Sequence, residues 1–357
     1  MKKRLKLIIV FFIGILFSLT LISAFVKKHA NNDLTFLLTF EDNTELGEYA
    51  KKDFGRDLAY TIAHDGQFTY LIARNPFGCG EICKDLGIDI AYRYQRYLFS
   101  LIGGGFGQFG PDATLYALVG LQVFFFALGA FALLKIIYYH NYSILLLFFW
   151  FTNLGLFYSI VLLTSDLMAS SLCLVGLYSY LKEKNKLAIF FFALVGLTKE
   201  VYLLVPLSII LYEFFNIKNK TKSSIYILSF IPGIINYIFW RLYYDDPVGS
   251  SWKNFTYPFW TIIESLIDMP QKNQQLYSIY FKEYILLLIS FIIFLFVIFC
   301  YFKSKNLFLK YLAITWIILA IFSSDLIWAV GNQSLRVFNL LYLFLGFFIV
   351  DRYKRKS

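Results

Sequence analysis

The segment LAIFFFALVGLTKEVYLLVPLSIILYEFF, residues 187–215, decides how the chain is threaded. Read as one helix, it puts Lys199 and Glu200 in mid-membrane and the basic clusters KEKNK (182–186) and KNKTK (218–222) on opposite sides. Basic loops collect on the cytoplasmic side, so the two clusters favour a hairpin instead. Each arm is then about eleven to fifteen residues, roughly 16–22 Å at the helical rise, short of a hydrocarbon core about 30 Å thick. The Lys199–Glu200 turn is expected below the outer surface, facing protein or a water-filled cavity. Charged, irregular backbone is tolerated at that depth only in such places.

The rest of the chain supports a membrane reading. It is 59% hydrophobic, 21% aromatic and only 16% charged, with mean hydropathy +0.63. Ten apolar segments stand out: 7–25, 115–138, 143–161, 167–181, 187–197, 201–215, 225–243, 284–302, 307–322 and 337–350. Several are long and uncharged enough for transmembrane helices. The expected fold is therefore an all-α polytopic membrane protein of about ten helices, one membrane domain over residues 1–357. With all basic clusters inside, both termini are cytoplasmic. Two long outer loops then remain, residues 26–111 and 244–283. The first is expected to carry interfacial amphipathic helices.

The net charge of +10 comes from short Lys/Arg clusters between apolar runs. That is positive-inside patterning rather than a nucleic-acid surface, so no nucleic-acid partner is expected. MKKRLK followed by Leu7–Phe25 resembles a signal peptide, but the apolar run is long and no A-x-A site follows, so an uncleaved helix is expected. Cys173 and Cys300 lie in apolar runs and read as packing residues. Cys79 and Cys83, in CGEIC, share the first loop; a small disulfide and two free thiols are both open readings. Their spacing has no second Cys pair to complete a zinc site.

The first loop also holds the chemistry. Residues 56–74, RDLAYTIAHDGQFTYLIAR, have helical spacing, with Leu58, Ile62, Leu71 and Ile72 on an apolar stripe and NPFG as the stop. Asp65 has no basic neighbour at i±3 or i±4, so no local ion pair explains it. In DIAYRYQRYLFSLI (89–102), Asp89, Arg93, Arg96 and Ser100 share one helical face. Two arginines a turn apart can grip a phosphate with forked hydrogen bonds. The adjacent tyrosines suit the headgroup level. Asp166 opens an apolar segment, where Thr164 or Ser165 could cap it; a helix-start carboxylate favoured by the dipole is the simpler reading. Lys199 and Glu200 could be an ion pair that fixes their turn, and Arg336 an interfacial anchor.

At these residues a resemblance emerges. The chain resembles the GT-C superfamily of integral-membrane glycosyltransferases, and more closely the bacterial cell-surface glycopolymer formation proteins. The resemblance rests on HDGQFTY (64–70) and AYRYQR (91–96). Weaker support comes from TSDL (164–167), TKE (198–200) and Arg336, so it spans most of the chain. It implies a GT-C-like fold in the bacterial cytoplasmic membrane with an extracytoplasmic active site. It implies inverting transfer of a sugar from a polyprenyl-phosphate carrier to an envelope glycan or lipid-linked acceptor. Asp65 would be the catalytic base. Gln67, Arg74, Arg93, Arg96, Asp166, Lys199, Glu200 and Arg336 would bind substrate or its phosphate. Some members use a divalent metal; this chain lacks the paired acidic residues that several branches carry in the first loop, so metal use stays open. A transporter or flippase of a lipid-linked saccharide, or a surface-glycan polymerase or ligase, are the competing readings. A transporter would need access from both sides and should tolerate Asp65→Asn.

Overall fold

A computed structural model describes residues 2–61, 63–79, 90–244, 257, 259–260, 263–264, 277–328 and 331–354. Among them the chain is all-helical, with no strand. Five helices are long and apolar enough to cross a membrane: Lys3–Ala30, Pro111–His140, Glu200–Ile217, Lys220–Tyr243 and Glu283–Lys303. The segment at 143–161 is not one straight helix. It breaks at Thr152–Asn153 into Ile144–Phe151 and Leu154–Val161, bent by 44°, and makes a sixth span if the pair is counted as one. Asn153 accounts for the break locally: its side-chain oxygen accepts from the Gly155 and Leu156 N–H groups, restarting the chain as a new helix. Asp166–Leu181, Asn185–Thr198 and Leu307–Phe322 are apolar but shorter. The break at Lys199 falls where the sequence places it: the helix Asn185–Thr198 ends there, and Lys199 is extended at φ −163°, ψ 115°.

The chain packs as two compact units. The first comprises Met1–Lys135, Ser159–Tyr202 and Ile231–Gly249. Its described helices are α1 (Lys2–Ala30), α2 (Glu45–Phe54), α3 (Asp65–Arg74), α4 (Ile90–Tyr94), α5 (Tyr97–Gly104), most of α6 (Pro111–His140), α7 (Asp166–Leu181), α8 (Asn185–Thr198) and α9 (Ile231–Tyr243). The second comprises Ile136–Tyr158, Leu203–Phe230 and Ser250–Ser357. Polar pairs between apolar helices tie it together. Ser208 and Thr315 share a hydroxyl bond of 2.9 Å, as do Ser290 and Ser334, and Asn153 Nδ2 donates to the Asn339 carbonyl at 2.9 Å. Within a bilayer such bonds hold helices that no hydrophobic difference drives together.

Three expectations for the first loop are corrected. The helix expected from residue 56 begins only at Asp65. Upstream, the backbone runs beside residues 35–40 instead: Ala59 N–H donates to Thr35 Oγ1, Thr61 N–H to the Phe40 carbonyl and His64 N–H to the Thr39 carbonyl. Those long-range bonds take the donors that a helix would have used. Nor does α3 lie on a surface. Gln67, Tyr70, Leu71, Ile72 and Ala73 are all buried. The continuous 89–102 helix is also interrupted, by a turn at Gln95–Arg96 between α4 and α5.

Glycine sets how closely α3 approaches its neighbours. A Cβ on Gly66 would meet the Leu37, Leu38 and Leu162 carbonyl oxygens at 2.8–2.9 Å. A Cβ on Gly104 of α5 would sit 2.3 Å from the Ala73 carbonyl oxygen of α3. The glycine of HDGQF is thus required by packing rather than by a turn. Gly66→Ala should destabilise the protein by about 1–3 kcal/mol through overpacking. Gly120→Ala, on an open helix surface with nothing within 4 Å, should be neutral or slightly stabilising. Thermal unfolding of both variants in one detergent checks the contrast.

Candidate functional site

The first unit contains a cleft of about 390 Å³, a volume that includes its open mouth. Asp65, Phe68, Thr69 and Ile72 form one wall. Their spacing of i, i+3, i+4 and i+7 is one face of α3. Arg93, Arg96, Phe99 and Ser100 supply another wall, from α4, the turn and α5. Thr164, Ser165, Asp166 and Lys199 complete the lining. The shared face expected of Arg93, Arg96 and Ser100 therefore survives the interruption of the helix. Asp89 lies outside the described residues.

Three ion pairs organise this cleft. Arg93 Nη1 donates to Asp65 Oδ1 at 2.6 Å, and its guanidinium lies 4.0 Å from the centre of the Phe68 ring. The partner that local sequence denied Asp65 thus comes from 28 residues away. Arg96 meets Glu200 with Nη2 at 2.9 Å and Nε at 3.4 Å, donates to the Tyr92 hydroxyl, and lies 4.6 Å from that ring. Burial works against the Arg96 charge, but Glu200 and Tyr92 outweigh it and hold the guanidinium well above its ordinary pKa. Lys199 Nζ donates to Asp166 Oδ1 at 2.5 Å. Lys199 and Glu200, which could have formed an ion pair that fixes their turn, each have a distant partner.

The pairs differ sharply in exposure. The side chains of Lys199 and Asp166 are 4% and 1% exposed, against 27% and 26% for Arg93 and Asp65. The buried carboxylate has further donors. Thr164 Oγ1 reaches Asp166 Oδ2 at 2.9 Å and the Tyr202 hydroxyl reaches Oδ1 at 3.3 Å. The chain around it is wired as well: Gln122 Nε2 and Ser159 Oγ donate to the Thr164 carbonyl, and Ser159 Oγ accepts from Leu167 N–H. Thr164 therefore serves the carboxylate rather than capping α7, and Ser165 makes no side-chain cap bond.

Other expected residues face elsewhere. Gln67 and Arg74 are two and nine positions from Asp65, about half a helical turn away in angle, and do not line the cleft. Arg74 grips Asp53 through Nε at 2.8 Å and Nη2 at 2.9 Å, and donates to the Gly107 carbonyl. The bond to Asp53 raises its pKa further. Burial and the same carboxylate push the Tyr70 hydroxyl up. This is a structural tie, so the phosphate role expected of Arg74 is not supported by its position. Arg336 is buried in the second unit, within the short helix Gly331–Val337. Cys79 is held in a disulfide, with its backbone N–H on the Tyr244 hydroxyl; Cys83 lies outside the described residues. Sequence reasoning missed Phe68, Tyr202, Ser159 and Gln122. Nothing local marks Phe68, Tyr202 and Gln122, which act on residues brought close by folding; Ser159 serves Thr164 and Leu167, five and eight positions on.

Among the described residues, no group of three or more His, Cys, Asp or Glu side chains could hold a metal ion. What fold and cleft define is an all-helical membrane-class protein with a partly open, internally paired charged cleft. Comparison with protein-family models, curated proteins and solved structures returns no match.

The sealed pair yields a stability prediction. Lys199→Met strands a buried carboxylate and should cost about 3–5 kcal/mol. Lys199→Met with Asp166→Leu should recover most of it, because two matched apolar groups replace the pair. Chemical or thermal unfolding of the purified single and double variants measures the difference.

Proposed function

We propose that the chain is a GT-C-type inverting glycosyltransferase that moves a sugar from a polyprenyl-phosphate carrier to a cell-envelope glycan or lipid-linked acceptor. In this reading the ten apolar segments cross the bacterial cytoplasmic membrane with both termini inside, and the cleft opens on the outer face. One observation carries the reading. Asp65 of HDGQF and the two arginines of AYRYQR, the stretches that carry the resemblance, line one cleft, where Arg93 is ion-paired with Asp65 and Arg96 with Glu200.

The chemistry follows from those groups. An acceptor hydroxyl attacks the anomeric carbon from the face opposite the phosphate. The carbon–oxygen bond to the phosphate breaks, and the lipid phosphate leaves with the electron pair. Positive charge develops on the sugar ring, so bond breaking runs ahead of proton removal. Asp65 orients the hydroxyl and accepts its proton. Arg93 and Arg96 stabilise the charge that builds on the departing phosphate. Lys199 acts differently from these two: neutralised by Asp166 in the cleft wall, it holds shape and contributes little free charge. Phe68, Phe99 and Ile72 give the cleft apolar wall area beside these charges. Sugar rings pack their own apolar faces against such surfaces.

The test is mass-spectrometric composition of the surface glycans in wild-type cells, a deletion strain, and the deletion carrying Asp65→Asn at confirmed equal expression. The deletion should lose one sugar, and Asp65→Asn should fail to restore it. Turnover in vitro should fall about 10²–10⁴-fold, the range of a lost general base. Wild-type glycans in the Asp65→Asn strain would sink the base assignment and favour transport.

A further inference from the structure

The three cleft cations are unequal, and the inequality bears on how a phosphate is taken up. Lys199 is sealed, and separating it from Asp166 exposes a buried carboxylate to no solvent. Such a separation opposes binding by more than about a hundredfold. Arg96 is held by a two-point contact with Glu200, by the Tyr92 hydroxyl and by the Tyr92 ring. Glu200 is itself 44% exposed, so this two-point contact and the Tyr92 hydroxyl and ring, rather than burial, hold Arg96. Arg93 meets Asp65 with Nη1 at 2.6 Å, and both side chains are about a quarter exposed. A pair that solvent can reach is worth little, so exchanging its partner weakens binding by only about fivefold. The Phe68 ring lies against the flat guanidinium, so Arg93 keeps a platform while its in-plane donors turn from one oxyanion to another.

The geometry points to a partner exchange: a phosphate-bearing ligand enters the cleft by taking Arg93 from Asp65. The exchange leaves the Asp65 carboxylate without its cation only when the ligand is seated. A carboxylate relieved of an adjacent cation is the stronger base. The Arg93 pair holds Asp65 in a quiet, ion-paired form, and ligand phosphate releases it. Phe68 acts as a positioning residue for Arg93, while the Arg96–Glu200 and Lys199–Asp166 pairs form the fixed frame. The inference rests on the reading of Asp65 as base only for the consequence of release. The exchange itself needs no turnover and would hold in a transporter as well.

Binding to the full-length protein in nanodiscs, with no acceptor present, tests it. The probes are farnesyl phosphate and inorganic phosphate. Asp65→Asn keeps the shape of the side chain and removes the competing charge. It should tighten farnesyl phosphate binding about fivefold, and the gain should vanish when Arg93→Gln is combined with it. Arg93→Gln alone should weaken binding about tenfold or more. Phe68→Leu should weaken binding modestly, without loss of thermal stability comparable to that of Lys199→Met. Parallel behaviour of inorganic phosphate assigns recognition to the phosphate itself; a response by farnesyl phosphate alone assigns it to a membrane-borne phosphate. Both support the exchange. Unchanged or weaker binding in folded Asp65→Asn, a gain that survives Arg93→Gln, or no binding of either probe to wild-type protein overturns it. Should Asp65→Asn fail to fold, the Arg93→Gln result decides: wild-type affinity in that variant rejects the exchange. Loss of the surface-glycan sugar without these binding effects would leave the glycosyltransferase reading standing and remove only the exchange.

Discussion

The buried pair of Lys199 and Asp166 is the constraint on which the cleft depends. Neither charge is stable alone away from water, and each is tolerated only because the other is in contact with it. The pair joins two breaks in regular structure. Asp166 is the first residue of α7, and Lys199 is the extended residue that ends α8. Thr164, Tyr202, Ser159 and Gln122 then satisfy the polar groups around it. Gln122 Oε1 has no partner among the described residues, but the carboxylate and the Thr164 carbonyl are well served, and a network so nearly completed favours one arrangement. Irregular backbone that would be expensive beside lipid is thereby paired inside protein.

Against this sealed base, α3 is positioned by contact rather than by charge. Its glycine lies among three backbone carbonyls, and α5 approaches so closely that Gly104 fits against Ala73. The opposite side of α3 is pinned by Arg74 and Tyr70 to Asp53. Asp65 consequently has little freedom in where its helix begins. The ten residues of α3 divide their work by angle: the Asp65, Phe68, Thr69 and Ile72 face meets the cleft, and the Gln67 and Arg74 face meets protein. A stretch that reads as one motif in sequence serves two purposes in space.

The limits of sequence reading follow from the same geometry. Membrane class was legible because apolar runs are local and long, and the break at Lys199 was legible because two basic clusters required it. The stop at Asn75 was legible from the following proline, which disfavours helix at the residue before it. The start of α3 was not, since Ala59, Thr61 and His64 spend their backbone donors on a segment more than twenty residues earlier. Nor were the ion pairs. Arg93 and Asp65 are 28 positions apart, and Arg96 and Glu200 are 104 apart. Helical periodicity placed Arg93, Arg96 and Ser100 on one side correctly but could not say what they would face. Arg74 is placed away from the cleft for the converse reason: a cation next to a functional motif had a distant carboxylate already waiting.

Pairing also sets the range over which the cleft can recognise a ligand. Arg93, Arg96 and Lys199 are met by Asp65, Glu200 and Asp166, so the charges of the cleft sum to zero. A neutral set of close pairs produces a field that falls off steeply and is a poor funnel for anions diffusing in bulk water. Recognition must then come from contact: forked hydrogen bonds, ring faces and apolar wall. That is a workable strategy for a ligand already concentrated at the cleft by other means, as a membrane-anchored molecule is, and a weak one for a dilute soluble polyanion. The arrangement of charge thus agrees with the apolar character of the chain that surrounds it. Both agree with the ligand of the proposed function, one that arrives through the membrane and is read by its polar end.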